Sequence, residues 1–299
     1  MHHYSTFVCF TLSKNSQVQQ LWQNQVPKDA LIHPFLMHCV MATSALHLAD
    51  AIPTRRNAYS TIAIRHHGIA LSAYKPMLHD ITKANGGPLF TGAKLLTVFV
   101  AAYSLLPGAV GVSISIRGLL GVAELVKGGR IILETINGWA EEGDQFRQVL
   151  KSVLKDWDHN PALPHGLSEA IETIKTIVVT QIETADVKSV YFSTLDSLVK
   201  TFQACYLNPD HPELVLMFLV QVDRKFMDLL RSTEQLALII LAYYGIVLNL
   251  VKENWWAKNW GSRLVKEIYD SLDASSRSLI QIPMEQVGLT QLIVDGGHE

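Results

Sequence analysis

Cysteine is scarce and scattered in this chain of 299 residues: Cys9, Cys39 and Cys205 stand far apart, odd in number and without a C-x-x-C pair. That usage supports neither a disulfide framework nor a cysteine-based zinc site. It suits a reducing, intracellular compartment, nucleus or cytoplasm. Charge is thin as well, at 17% of residues with a formal net charge of −2, so no general attraction to nucleic acid or to an anionic membrane is expected. Basic side chains are dispersed, and Arg55, Arg56 is too short a run for a nucleic-acid patch. The opening MHHYSTFVCFTLSKNSQ lacks the basic start and apolar centre of a secretory signal.

Catalytic and metal-binding signatures are missing too. None of the 12 histidines falls in H-E-x-x-H; the neighbours His66 and His67 point to different faces of a helix, and His38 and His47 lie on nearly opposite sides of theirs. There is no G-x-S-x-G and no cysteine with a recognisable catalytic partner. The pairs Gly86, Gly87 and Gly128, Gly129 do not continue into G-K-[ST] and read as helix breakers. The expectation is no metal, no cofactor and no identifiable catalytic residue.

What the chain does have is core material, with 48% hydrophobic residues. No useful run alternates apolar and polar residues, so the class is all-α. We expect a single multi-helix domain of about ten helices around a buried central helix, over residues 1–285, with 286–299 as a C-terminal tail. The centre is the stretch Ser232 to Leu272. Ser232 and Gln235 have capping-box spacing, so a helix is expected to start there. From Leu236 to Val251 no charged side chain appears, and a helix that is apolar all round must be packed on every side. This run is shorter than the roughly 20 residues a bilayer span needs. Trp255, Trp256 and Trp260 follow as an aromatic cluster.

Ahead of the centre, helices are expected from Pro34 to about Asp50 and from Asn57 to Tyr74. The next runs from Leu89 to Leu106, after a loop at Asn85–Pro88, and another from Ile114 to Val126 is ended by Gly128, Gly129. The uncharged stretch from Leu95 to Ile116 reads as two helices broken at Pro107, Gly108, so no membrane span is expected. Phe146, Val149, Leu150, Val153, Leu154 and Trp157 form an amphipathic stripe. Helices over Leu167–Ile182, including TIVVT, and Val187–Tyr206 come next, and Glu213–Arg231 is expected to bend near Gln221–Asp223.

Large aromatic and sulfur-containing side chains sit on helices with little polar surface: Met37, Met41, Phe99, Tyr103, Met217, Phe218, Tyr243, Tyr244, Trp255 and Trp256. The sharper reading of this excess, beside ordinary core, is a lined apolar cavity with a few hydroxyls to orient a lipophilic ligand.

Several stretches carry a family resemblance: HPFLMHCVMATSALHLA, RHHGIALSAYKPML, LFTGAKLLTVFVAAY and above all LIILAYYGIVLNLVKENWWAKNWGSRLVKEIYDSL with IPME after it. Together they resemble the C-terminal regulatory domain of fungal zinc-cluster transcription factors of the sterol uptake control type. The resemblance implies an all-helical, often self-associating domain whose apolar pocket binds a sterol. It implies as partners a hydrophobic small molecule and a second copy or a zinc-cluster regulator. The family's cysteine-rich DNA-reading module is not in this sequence, so no direct nucleic-acid binding by this chain is expected. Where the family's central helix often has a histidine before its tyrosine, this chain has Tyr243. The functional expectation is a domain that holds a polycyclic sterol, terpenoid or polyketide-like molecule. The alternative is a pocket turned to intramolecular cyclisation or cycloaddition in secondary metabolism, which needs shape and a hydrogen bond more than a nucleophile.

Overall fold

The computed structural model describes residues 1–106, 116–138 and 161–290. The break at Pro107, Gly108, the amphipathic stripe at Phe146–Trp157 and most of the expected tail lie outside the described residues. Among the described residues every regular element is helical. Labelling helices of six residues or more, these are α1 (Val26–Ile32), α2 (Pro34–Ala51), α3 (Arg56–Met77), α4 (Gly86–Leu105), α5 (Ile116–Asn137), α6 (His165–Gln181), α7 (Ala185–Leu207), α8 (Arg224–Arg231), α9 (Gln235–Asn249), α10 (Trp260–Ser271) and α11 (Gln281–Gln286). Shorter π and α turns over Tyr4–Gln25 precede α1.

Helix α9 is the centre that its composition demands. Every residue from Leu236 to Leu248 is buried, so no face of it meets solvent. Its closest neighbour is α10, and the two backbones meet at a pair of glycines. A Cβ on Gly261 would overlap the Gly245 carbonyl oxygen and fall 2.9 Å from the Asn249 nitrogen. Glycine is required here for close approach, not for a turn.

The tyrosine hydroxyls of α9 are satisfied by backbone, as buried phenols require. Tyr243 donates to the Leu279 carbonyl at 2.9 Å and Tyr244 to the Val215 carbonyl at 2.8 Å. The start of α9 corrects the expected cap. Glu234, not Ser232, is the N-cap, and its carboxylate accepts from the Ala237 N–H at 2.8 Å. It also accepts from the Tyr191 hydroxyl on α7, a tertiary bond that decides the boundary. Thr233, with φ of +56°, makes the turn into it.

In the N-terminal half, α2 and α3 form the most extensive helix pair, joined by the short turn Pro53–Arg55. Their histidines pair across the contact, His38 with His66 at 2.8 Å between Nδ1 atoms, while His67 stacks on Phe99 with ring centroids 4.0 Å apart. Helix α4 packs on α2 and on α5. It is long and apolar enough to cross a membrane by length and composition, yet 61% of its most apolar window is buried within the protein, which accounts for that composition.

Two glycine pairs depart from the expected breaks. Gly86 and Gly87 lie inside the first turn of α4, where Pro88 costs no intrahelical hydrogen bond. Gly128 and Gly129 lie inside α5, which runs on to Asn137. A Cβ on Gly129 would sit 3.5 Å from the Ala93 Cβ of α4, an ordinary contact distance. The bend expected near Gln221–Asp223 is present: a short helix ends at Gln221, and Asp223 caps α8 by accepting from the Lys225 N–H at 2.7 Å. TIVVT is helical, within α6.

The buried side chains divide into two clusters. One is centred on α9 with α7, α10 and parts of α4 and α5; the other joins the N-terminal turns to α2 and the first half of α4. Val98 packs against both. The seam between them is where the candidate site lies.

Candidate functional site: an apolar cavity with one inward lysine

A cavity of about 600 Å³ opens at that seam, within the ordinary range for small-molecule sites. Leu12, Val18 and Trp22 from the N-terminal turns form one wall, and Phe90, Ala93, Thr97 and Val98 of α4 form another. The α5 residues Leu125, Val126, Gly129 and Leu133 and the stretch Leu214–Gln221 complete it, with Trp256 beyond. Because the walls belong to segments far apart in sequence, the hollow is a product of tertiary packing.

Of the ten sequence-singled residues, Met217 and Trp256 line this cavity. The others are placed elsewhere. Phe99 stacks on His67 and, at 5.9 Å, on Tyr103. Phe218 stacks on Tyr244 at 4.5 Å inside the main cluster. Met37 packs at the margin of the N-terminal cluster, and Met41 is exposed with its sulfur 3.8 Å from the N-terminal ammonium. Trp255 donates from Nε1 to the Thr11 hydroxyl at 2.8 Å. Tyr243 and Tyr244 spend their hydroxyls on backbone carbonyls, as described above.

Polar groups in the cavity wall are few. Arg130 and Glu134 pair with each other at 2.6 Å, one turn apart on α5. Thr97 donates to the Ala93 carbonyl at 2.9 Å. Glu213 is tied through Oε1 to His211 Nδ1 at 3.2 Å, while its Oε2 is sealed from solvent with no hydrogen-bond partner. His211 in turn lies 3.5 Å from the Asn15 amide, and Asn15 caps the turn that carries Val18. The indole N–H of Trp256 is likewise sealed and unpartnered.

Lys94 is the group that sequence reading missed. It projects from α4 with its Nζ 5.1 Å from the Phe90 ring centroid and 5.9 Å from that of Trp22, a cation–π collar. The salt bridges of the described residues do not include it. Burial lowers its pKa from the usual lysine range, with Glu213 offsetting part of the shift. The side chain nevertheless keeps some accessible area, and the cavity it lines reconciles depth with accessibility. A signal was present: Lys94 is the one charged residue between Lys83 and Arg117, and a charge within so apolar a helix is costly unless it has a task.

No group of three or more His, Cys, Asp or Glu that could hold a metal occurs among the described residues. Burial pushes the Cys39 and Cys205 thiols up to about 12, which leaves them protonated and inert as nucleophiles.

Residues 1–109 match the fungal specific transcription factor domain. The chain is 27% identical over 270 residues to sterol uptake control protein 2 of Candida albicans, covering 85% of this chain and 36% of that protein. It is 22% identical over 302 residues to a Zn(2)-C6 fungal-type transcription factor of Gibberella zeae, covering 93% of this chain and 58% of the relative. With sterol uptake control protein 2 of Saccharomyces cerevisiae the identity is 27% over 271 residues, 85% of this chain and 28% of the relative. The chain thus spans less than two thirds of the length of each of these curated relatives.

Proposed function

We propose, for a chain related over most of its length to the fungal zinc-cluster transcription factors, that it is a regulatory domain binding one polycyclic apolar molecule in the cavity between its two cores. The observation that carries this reading is the hollow itself: about 600 Å³, walled mainly by apolar side chains, with few polar groups. Sterols, terpenoids and fused-ring polyketides share the size and apolarity that such a space selects. Burying about 300 Å² of guest surface at roughly 25 cal/mol/Å² supplies several kcal/mol before ordering costs. The relatives named for sterol uptake control make a sterol the first guest to try.

A guest would touch both cores at once, joining the N-terminal turns to the Leu214–Gln221 stretch. Binding would therefore stabilise one packing of the two halves, the way a ligand biases a regulatory domain. Such a domain acts inside the cell, in nucleus or cytoplasm, and its protein partner is a second copy or a zinc-cluster regulator. Native mass spectrometry of the purified protein mixed with ergosterol tests the reading. One added sterol mass per chain, displaced by excess related sterol, is the expected result. Only unliganded mass across sterols, triterpenes and fused-ring polyketides overturns it.

A second reading, that the same space folds a precursor for cyclisation, draws on the inward Lys94 as a hydrogen-bond donor within apolar walls. Accelerated or stereochemically altered ring closure of linear terpenoid or polyketide precursors would favour it over simple binding.

A further inference from the structure

We propose that the guest of this cavity is an apolar carboxylic acid, and that Lys94 holds its carboxylate. The inference rests on the cavity-binding reading above and narrows it to one chemical class.

Three observations carry it. First, Lys94 lines the cavity while retaining accessible surface, so its ammonium is a charged group that a guest can reach. The other charges in the wall are placed differently: Arg130 and Glu134 pair with each other at 2.6 Å on its solvent-exposed side, and Glu213 turns Oε1 to His211 and keeps Oε2 inside the protein, with no accessible surface. Second, the rings of Phe90 and Trp22, 5.1 and 5.9 Å from Nζ, fix the ammonium without consuming its N–H donors. Aromatic faces attract a cation but accept no ordinary hydrogen bond, so donor capacity remains for an anion. Third, most of the rest of the wall is apolar, with Thr97, Asn137 and Gln221 as its neutral polar members. An ammonium placed in such a setting with no ion pair, and with Glu213 offsetting its burial only in part, carries a remaining desolvation cost, and a guest bringing a carboxylate offsets it with a charge-assisted hydrogen bond.

A neutral alcohol could accept one hydrogen bond from Lys94 but would leave its charge unpaired. A hydrocarbon would leave both unmet. The order of preference from the geometry is therefore acid, then alcohol or ester, then hydrocarbon.

The test uses lithocholic acid, its methyl ester and cholesterol, titrated at pH 7.5 into the full chain and into Lys94→Met and Lys94→Arg. The wild type is expected to bind the acid roughly tenfold or more tightly than the ester, the scale of one charged hydrogen bond. Lys94→Met should erase that preference while holding the ester within about threefold, and Lys94→Arg should keep it. Equal affinity of the wild type for acid and ester overturns the inference and leaves the cavity reading standing. So does a preference that survives Lys94→Met. Failure of all three steroids to bind the wild type overturns the inference, and the cavity reading falls with it when triterpenes and fused-ring polyketides fail as well. A wild-type far-ultraviolet circular dichroism spectrum and cooperative melting of Lys94→Met serve as the check that this variant keeps its fold.

Discussion

Alanine at Gly261 is the most severe small change the structure offers. The new Cβ would overlap the Gly245 carbonyl oxygen and lie 2.9 Å from the Asn249 nitrogen and 3.1 Å from its Cβ. Two of those three atoms are backbone of α9, which is buried on every side and cannot rotate away as a side chain would. Overpacking of this kind costs about 1–3 kcal/mol, and the rigid obstruction places it near about 3. Gly261 is in the first turn of α10, where alanine gains at most about 1 kcal/mol in helix propensity, leaving a net loss of about 2 kcal/mol. For a chain of this size that lowers the melting temperature by roughly 3 °C. Gly121→Ala is the matched control, because it is helical, exposed and has nothing within 4 Å of the added methyl; it should be neutral or stabilising by up to about 1 kcal/mol. Thermal and urea denaturation followed by far-ultraviolet circular dichroism measures both. If Gly261→Ala melts with the wild type, the close crossing of α9 and α10 is not as described.

Three further outcomes follow from particular contacts. Tyr244→Phe keeps the stack on Phe218 but strands the buried Val215 carbonyl, so urea titration should show a loss of about 1–3 kcal/mol. Glu234→Ala removes the cap of α9 and the acceptor for the Tyr191 hydroxyl together; the same titration should show a loss of about 1–2 kcal/mol from the cap alone. His67 is held neutral, because burial pushes its pKa down to about 4 from 6.5. The unfolded chain then binds the proton first, so stability is full above about pH 6.5 and falls as pH drops toward 4. The loss is at most about 3 kcal/mol, less where solvent screens the ring. His67→Phe, which keeps the stack on Phe99, should flatten that acid limb in melts taken across this window. Burial lowers His3, His47 and His66 in the same direction, so a residual slope remains.

The sequence made the centre of the fold visible because composition alone constrains it. An uncharged run the length of α9 has no solvated face, whatever surrounds it, and the structure buries every residue of it from Leu236 to Leu248. The break before α8 was legible for a similar local reason, in Gln221–Asp223 with a capping aspartate. Boundaries set by distant partners were not. Ser232 has the better local cap spacing, but Glu234 caps α9 and meets Tyr191 on α7. Gly128 and Gly129 read as a stop, yet the helix runs through them to Asn137. A cavity was expected, but its position escaped for the same cause: its walls come from residues 12–22, 90–98, 125–137 and 213–221 with Trp256, and nothing local marks them as neighbours. Of the large apolar residues singled out, Met217 and Trp256 stand in this wall, and the others pack elsewhere.

Fluorescence titration with dehydroergosterol bears most directly on whether the seam admits a guest, because Trp22 and Trp256 stand in its wall and would transfer energy to the bound polyene. Saturable loss of tryptophan emission at one sterol per chain is expected for the wild type. Gly129→Leu, whose Cβ meets only Ala93 at ordinary contact distance, should fold but bind far more weakly, because its side chain narrows the space. A wild type that shows no saturable transfer, or a Gly129→Leu variant that binds as well as the wild type, would contradict the placement of a guest between the two cores.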